Sequence, residues 1–372
     1  MAKNVVLCCD GTANEFAGNR TNVVKLCFTL VNDPVQVTYY HPGLGTMEPP
    51  GTLTGIKRGL TKLLGQAVGW GLEADIRDAY VFLMNNFEDG DSVFLFGFSR
   101  GAYTVRAVAA LLHMYGLVRR GDEALVPYAI RMMTAINALK ESGRAGSNEN
   151  TALLHEYFDT AAQFKAHFCR DTCKPHFVGV WDTVSSVGWI ENPVRLPFTS
   201  DNPDIQIGRH AIAIDERRAF FRTNLWRPRP PAGGPKDLKQ VWFPGVHCDV
   251  GGGYPEAESG LAKIALEWML KEAKQAGLMV EPAKEDLVLG KSGGSFVRPD
   301  FKGPMHESLK SLWRLAEFVP KRHYDWERQE ERRRMNLFRR RSFPPQSLIH
   351  QAAYEQGEEY RRRLPPDGIP VT

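Results

Sequence analysis

The segment "SVFLFGFSRGAYTVRAVAALL", residues 92–112, constrains the fold of this chain more than any other. An apolar run ends at Ser99, with Gly97 two residues before it and Gly101 two after, and Ala102, Val105, Ala109 and Leu112 then recur on one helical face. A strand that becomes a helix within one residue must bend sharply. Glycines flanking the bend remove side chains that would collide there, and the serine hydroxyl is left projecting beyond the strand end. The pattern G-x-S-x-G arises often by chance, so its weight comes from the strand before it and the helix after it.

Four further runs read as buried strands: "NVVLCCDG" (4–11), "VQVTYYHPG" (35–43), "HFVGVWDTV" (176–184) and "QVWFPGVHCD" (240–249). Helical patterns lie between them over 22–31, 54–87, 102–116, 122–139 and 152–168, and another begins at Leu261 and stops at Gly277. Strands alternating with helices predict an α/β fold, a mostly parallel sheet with helices on both faces. With 43% apolar residues in 372 and no low-complexity linker, the reading is a single domain over 1–372. It carries a helical insertion at about 118–174 and a proline-rich one at about 185–239, expected to form a cap or rim with Trp189, Phe198, Phe220, Phe221 and Trp226.

In such sheets ligands bind outside the carboxyl ends of the strands. The strand-end residues are Asp10, Ser99, Asp182, His247 and Asp249. A serine hydroxyl is a weak nucleophile that needs a base within hydrogen-bond reach, itself oriented by a carboxylate. His247 is the best-placed base, at a strand end before Gly251-Gly252-Gly253. Asp182 is preferred as the acid, because Asp249 is too close in sequence to meet the far side of the imidazole and suits tying down the glycine loop. His350 in "SLIHQAAYE" is the competing base, and His41 in "YYHPG" a candidate for the site rim. For the oxyanion, the backbone N–H of Arg100 is the expected first donor and that of Gly11 or Thr12 the second, with Asp10 either fixing that loop or joining the site.

Other classes are poorly served. No G-x-x-x-x-G-K-[ST] is present, and "CCDGTANEFAG" follows the first strand where a dinucleotide fold needs G-x-G-x-x-G, so no cofactor is expected. A metal hydrolase remains a reading in which Asp10, Asp182, His247 and Asp249 converge as ligands, whereas "HFCRDTCKPH" (167–176) lacks zinc-site spacing. The net charge of +4 gives no case for nucleic acid. Residues 321–341 nevertheless hold nine basic against four acidic residues, which reads as a solvated face or as a contact for an anionic membrane surface. A non-enzymatic protein using that segment to bind an acidic partner is the alternative from another class. Five apolar residues before Asp10 are too few for a secretory signal, and no stretch approaches the ~20 residues of a membrane span. A soluble, cytoplasmic protein with reduced cysteines is expected, with no oligomeric state implied.

The pieces "LCCDGTANEFAGNRTNVVKL", "GFSRGAYTVRAVAALL", "FVGVWDTVSSVG", "HAIAIDERRAFF" and "VWFPGVHCDVGGGY", in that order, resemble the DUF2235 group of α/β-hydrolases, which includes the Tle1-like phospholipase effectors of type VI secretion. The resemblance implies an α/β-hydrolase fold and a Ser–Asp–His triad on Ser99, Asp182 and His247. It also implies an ester substrate, with lipid and phospholipid esters among those of relatives, and export by a non-Sec route such as type VI secretion. Two departures stand out: "SLIHQAAYE" matches the family's C-terminal histidine stretch loosely, and residues 1–372 hold no match to the large membrane-contacting extension of some effectors.

Overall fold

A computed structural model describes residues 2–11, 20–43, 60–141, 148–184, 196–227, 233–310, 313–326 and 330–372. Thr12 and Trp189 lie outside the described residues.

The elements in chain order are β1 (Asn4–Cys9), α1 (Asn22–Thr29), β2 (Gln36–His41), α2 (Leu60–Asn86), β3 (Ser92–Phe98), α3 (Arg100–Tyr115), β4 (Leu117–Val118), α4 (Val126–Glu141), α5 (Asn148–Phe168), β5 (Cys169–Arg170) and β6 (Pro175–Trp181). There follow β7 (Ile207–Ala213), β8 (Asp237–Phe243), α6 (His247–Gly251), α7 (Gly260–Gln275), α8 (Pro282–Val288), α9 (Trp313–Ala316), β9 (Lys321–Asp325), β10 (Glu330–Arg334), β11 (Leu348–His350) and β12 (Ile369–Val371).

Eight strands form one sheet in the order β12-β11-β8-β7-β6-β3-β1-β2. Every pairing in it is parallel, so the connections cross over and helices cover both faces. On one face α2, α3, α4 and α5 pack through Tyr80, Leu83, Val108, Leu111, Met133 and Phe164; on the other, α1 and α7 pack through Leu26, Leu266 and Met269 against Phe96 and Phe177. Burying aliphatic or aromatic side chains this fully is worth about 1.5–3 kcal/mol each. Among the described residues no helix is long and apolar enough to cross a membrane.

The stretch 185–239 is not one surface excursion. Its residues Ile207–Ala213 form β7, an interior strand between β6 and β8. Arg209 in that strand makes it read as polar, but the guanidinium is neutralised by Glu272 (2.5 Å) and Asp237 (2.6 Å). Trp226, expected in the rim, is fully buried: Arg106 of α3 stacks over its ring at 4.6 Å, and the same guanidinium donates to the carbonyls of Thr199 and Asn224. That buried arginine thus pins residues 199–226 onto α3. The stretch 118–174 does hold the helical pair α4 and α5, closed by the short β4–β5 ladder. β11 and β12, only three residues each, carry no recognisable pattern and extend the sheet beyond β8.

The chain goes from β1 outward to β2, returns to β3 on the other side of β1, and then proceeds through β6, β7 and β8. The direction of winding therefore reverses between β1 and β3, which opens a crevice at their carboxyl ends.

Candidate active site

Ser99 stands at that crevice. Its backbone, φ 56° and ψ −117°, is one that non-glycine residues adopt only when their surroundings enforce it. The enforcement is visible: the Ser99 N–H donates to Trp181 O on β6 (3.1 Å), and the Ser99 carbonyl accepts from Tyr103 N–H (3.3 Å) as α3 begins. A Cβ on Gly97 would lie 2.5 Å from Gly101 O, and a Cβ on Gly101 would lie 2.1 Å from Cys9 O. Both glycines are therefore required by close backbone approach. Gly101→Ala should lower stability by about 1–3 kcal/mol or more, because backbone and not a flexible side chain is in the way; an unchanged urea midpoint would contradict this. Ser99 is partly exposed while Phe98 and Arg100 on either side are buried.

Asp182 follows β6, the neighbour of β3, and is also held at positive φ (37°) by its N–H bond to Ala211 O (2.7 Å). Its fully buried carboxylate accepts the Nδ1–H of His247 at 2.6 Å. It also accepts the N–H of Ala213 at 3.0 Å and both terminal nitrogens of Arg341, at 2.6 and 3.0 Å. Burial alone would raise this carboxyl's pKa; the Arg341 charge and the His247 bond outweigh burial and hold it well below the usual carboxylate range. His247 opens α6, its ring packed between Phe98 (centroids 4.5 Å apart) and the edge of Phe221 (4.9 Å). Burial lowers its pKa from the ordinary histidine value, and the Asp182 bond offsets that only in part.

The loop carrying His247 is anchored from beneath. Glu216, buried, accepts the His247 backbone N–H (3.3 Å), the Arg218 guanidinium (2.9 and 2.8 Å) and the Ser308 hydroxyl (3.0 Å). Gly251 packs so closely on Phe98 that a Cβ there would fall 1.9 Å from the ring. Asp249 faces away from the His247 ring: it accepts the N–H groups of Val246 (3.0 Å) and His306 (3.1 Å) and the His306 imidazole (2.6 Å). Asp10 accepts from Thr21 Oγ1 (2.6 Å) and Tyr40 Oη (3.0 Å), which fixes the loop after β1.

Gly11, expected to supply an oxyanion donor, spends its N–H on Asp10 Oδ1 at 2.7 Å, in keeping with the loop-fixing alternative for Asp10. Thr12 lies outside the described residues, and Arg100 begins α3 beside Ser99. The Arg100 side chain turns the other way, toward buried Asp75 of α2 (3.9 Å), which His41 also approaches (3.7 Å). His350 caps the end of β11, where it accepts the Ala352 N–H (3.2 Å) and stacks on Phe243 (4.7 Å). It faces the cleft over α7 with Glu267 and Lys271, and burial pushes its pKa down to about 4. The imidazole that reaches Asp182 is that of His247. Nor do Asp10, Asp182, His247 and Asp249 gather as one ligand set: each carboxylate is satisfied by its own partners, and among the described residues no three His, Cys, Asp or Glu side chains are grouped to share a metal.

Arg341 and Glu216 were missed from the sequence. Arg341 ends the basic run at 321–341, which reads as a solvated face; it lies 159 positions from Asp182, and no local pattern marks it as inward-facing.

Residues 3–272 match the family model described as "T6SS, Phospholipase effector Tle1-like, catalytic domain". An uncharacterized protein of Saccharomyces cerevisiae is 34% identical over 238 residues, covering 61% of this chain and 33% of its own length. An uncharacterized Pseudomonas aeruginosa protein of known structure aligns at 20% identity and TM-score 0.46, over 80% of this chain and 49% of its own. The structure of a Tle1 effector bound to the VgrG spike of the type 6 secretion system aligns at 18% identity and TM-score 0.38, over 70% of this chain and 53% of its own. The chain thus spans a third to a half of the length of these relatives.

Proposed function

Because the chain belongs to the Tle1-like catalytic-domain family of type VI secretion phospholipase effectors, we propose that it hydrolyses carboxylic esters of lipids by serine acyl transfer. Ser99 Oγ attacks the ester carbonyl while His247 takes its proton; Asp182 holds the imidazole in the tautomer with Nδ1–H toward the carboxylate. The imidazolium then protonates the leaving alcohol, and water, activated by the same base, releases the acyl group from Ser99. The Arg100 N–H at the elbow is the donor assigned to the oxyanion. Gly11 would join it only by giving up its bond to Asp10. The family's link to type VI secretion makes that route the proposed means of export.

The observation that carries this reading is the buried 2.6 Å Asp182–His247 bond at the carboxyl end of β6, the strand next to the Ser99 elbow. A short p-nitrophenyl ester tests it. His247→Ala should lower kcat by about 10³–10⁶-fold, the loss expected when one member of a unit of this kind is removed. His350→Ala should leave kcat unchanged; the opposite pattern would transfer the base to His350. In the wild type the acid limb of kcat/KM should fall below the ~6.5 of an ordinary histidine, since burial lowers the His247 pKa.

A further inference from the structure

Beside the catalytic imidazole lies a surface that a water-soluble protein has reason to avoid. Trp313, Leu315, Phe318, Met335 and Leu337 are all exposed, Leu315 to 67%. They belong to two segments clasped by one buried carboxylate: Glu317 accepts the N–H of Ala219 (2.6 Å) and of Phe338 (3.0 Å), and the Asn336 amide, while its carbonyl accepts the N–H of Asn336 (3.1 Å) and Leu337 (3.3 Å). That clasp holds Leu337 and Phe338 consecutively at positive φ, 49° and 62°. Two bulky residues in the left-handed region are costly, and here the result is to hold one leucine facing solvent. The face is continuous with the site, since the Phe221 ring meets His247 on one side and Trp313 (5.5 Å) on the other. Arg314, Arg333 and Arg339 are exposed in the same two segments, and Arg314 lies over the Phe338 ring at 5.9 Å.

We propose that this face seats the protein on an anionic phospholipid surface, with Leu315, Phe318, Met335 and Leu337 entering the headgroup boundary and the arginines meeting lipid phosphates. Apolar and aromatic side chains with arginine around them are the composition that an interface between water and acyl chains favours. The inference deepens the lipid-ester reading, on which its purpose rests: substrate would be drawn from the surface on which the site already sits. Binding itself is measurable without turnover.

The Ser99→Ala protein should co-sediment with mixed phosphatidylcholine–phosphatidylglycerol vesicles about tenfold or more better than with phosphatidylcholine alone, and salt should weaken the binding. The double variant Leu315→Asp, Phe318→Asp, in the Ser99→Ala background, should lose about tenfold or more of that binding. With Ser99 restored it should cleave a soluble short ester like the wild type, which also reports that it folds. Arg314→Glu with Arg333→Glu should abolish the preference for the anionic lipid. Ser99→Ala protein that ignores anionic vesicles, or a double aspartate variant that binds them undiminished, would overturn the proposal. So would a wild-type dimer that the aspartates convert to monomer, since a second copy would then cover the face. Vesicle binding by a wild type that cleaves no ester would leave this face standing and remove the hydrolase reading instead.

Discussion

Arg341→Met should destabilise the fold by about 3–5 kcal/mol, the usual cost of leaving a buried charge without its partner. The Asp182 carboxylate is fully inaccessible and the Arg341 side chain almost so, and methionine can replace neither of the two bonds lost. The pH dependence follows from the sign of the shift. A carboxyl held below its unfolded value contributes stability that is fully present above ~3.9 and is lost as pH falls through the folded value. Without Arg341 the folded value rises toward the unfolded one, so the variant should be weaker at neutral pH while the part of its stability that acid removes through Asp182 shrinks. Catalysis should change in the same experiment: with the carboxylate no longer shared with a guanidinium, the His247 imidazolium gains more from it, and the acid limb of kcat/KM should move up. Arg341→Lys should recover part of the stability, as one ammonium cannot reproduce the two-pronged contact. Urea melts and kcat/KM across the acid range check both parts. An Arg341→Met protein with wild-type stability and an unmoved limb would show that His247 alone keeps Asp182 ionised.

Ser99→Ala should lower kcat on the short ester by about 10⁴–10⁶-fold, with binding and fold retained. The alanine methyl fits where the Ser99 Cβ already sits, and the turn is held by backbone bonds to Trp181 and Tyr103 that the hydroxyl does not make. Any loss is therefore a loss of chemistry. Unchanged hydrolysis would remove Ser99 from the mechanism, and no hydrolysis by either protein would favour the non-enzymatic binding reading.

The elbow was legible in the sequence because its physics is local: a buried run, glycines where backbones approach, and a helix directly after. Asp182 is legible as a strand end in an alternating β/α pattern, whereas His247, read as a strand end, opens α6 four residues past the end of β8; the two side chains meet at 2.6 Å. What escaped notice depends on contacts distant in sequence. β7 was hidden by Arg209, whose charge is cancelled by Glu272 and Asp237 from other elements. Trp226 reads as part of a rim because proline-rich surroundings suggest surface, whereas Arg106 stacks on it in the core. Arg341 reads as one of a solvated basic run, although its guanidinium is sunk against Asp182. In each case a charge or polar group finds a partner that sequence spacing cannot announce.

The most direct measurement is covalent capture of the nucleophile. A fluorophosphonate, which phosphonylates an activated serine with loss of fluoride, should add once to the wild-type chain, with the added mass on the peptide containing Ser99. Labelling should disappear in Ser99→Ala and slow sharply in His247→Ala. An enzyme that hydrolyses ester while the Ser99 peptide stays unmodified, or that labels equally fast without His247, would contradict the account.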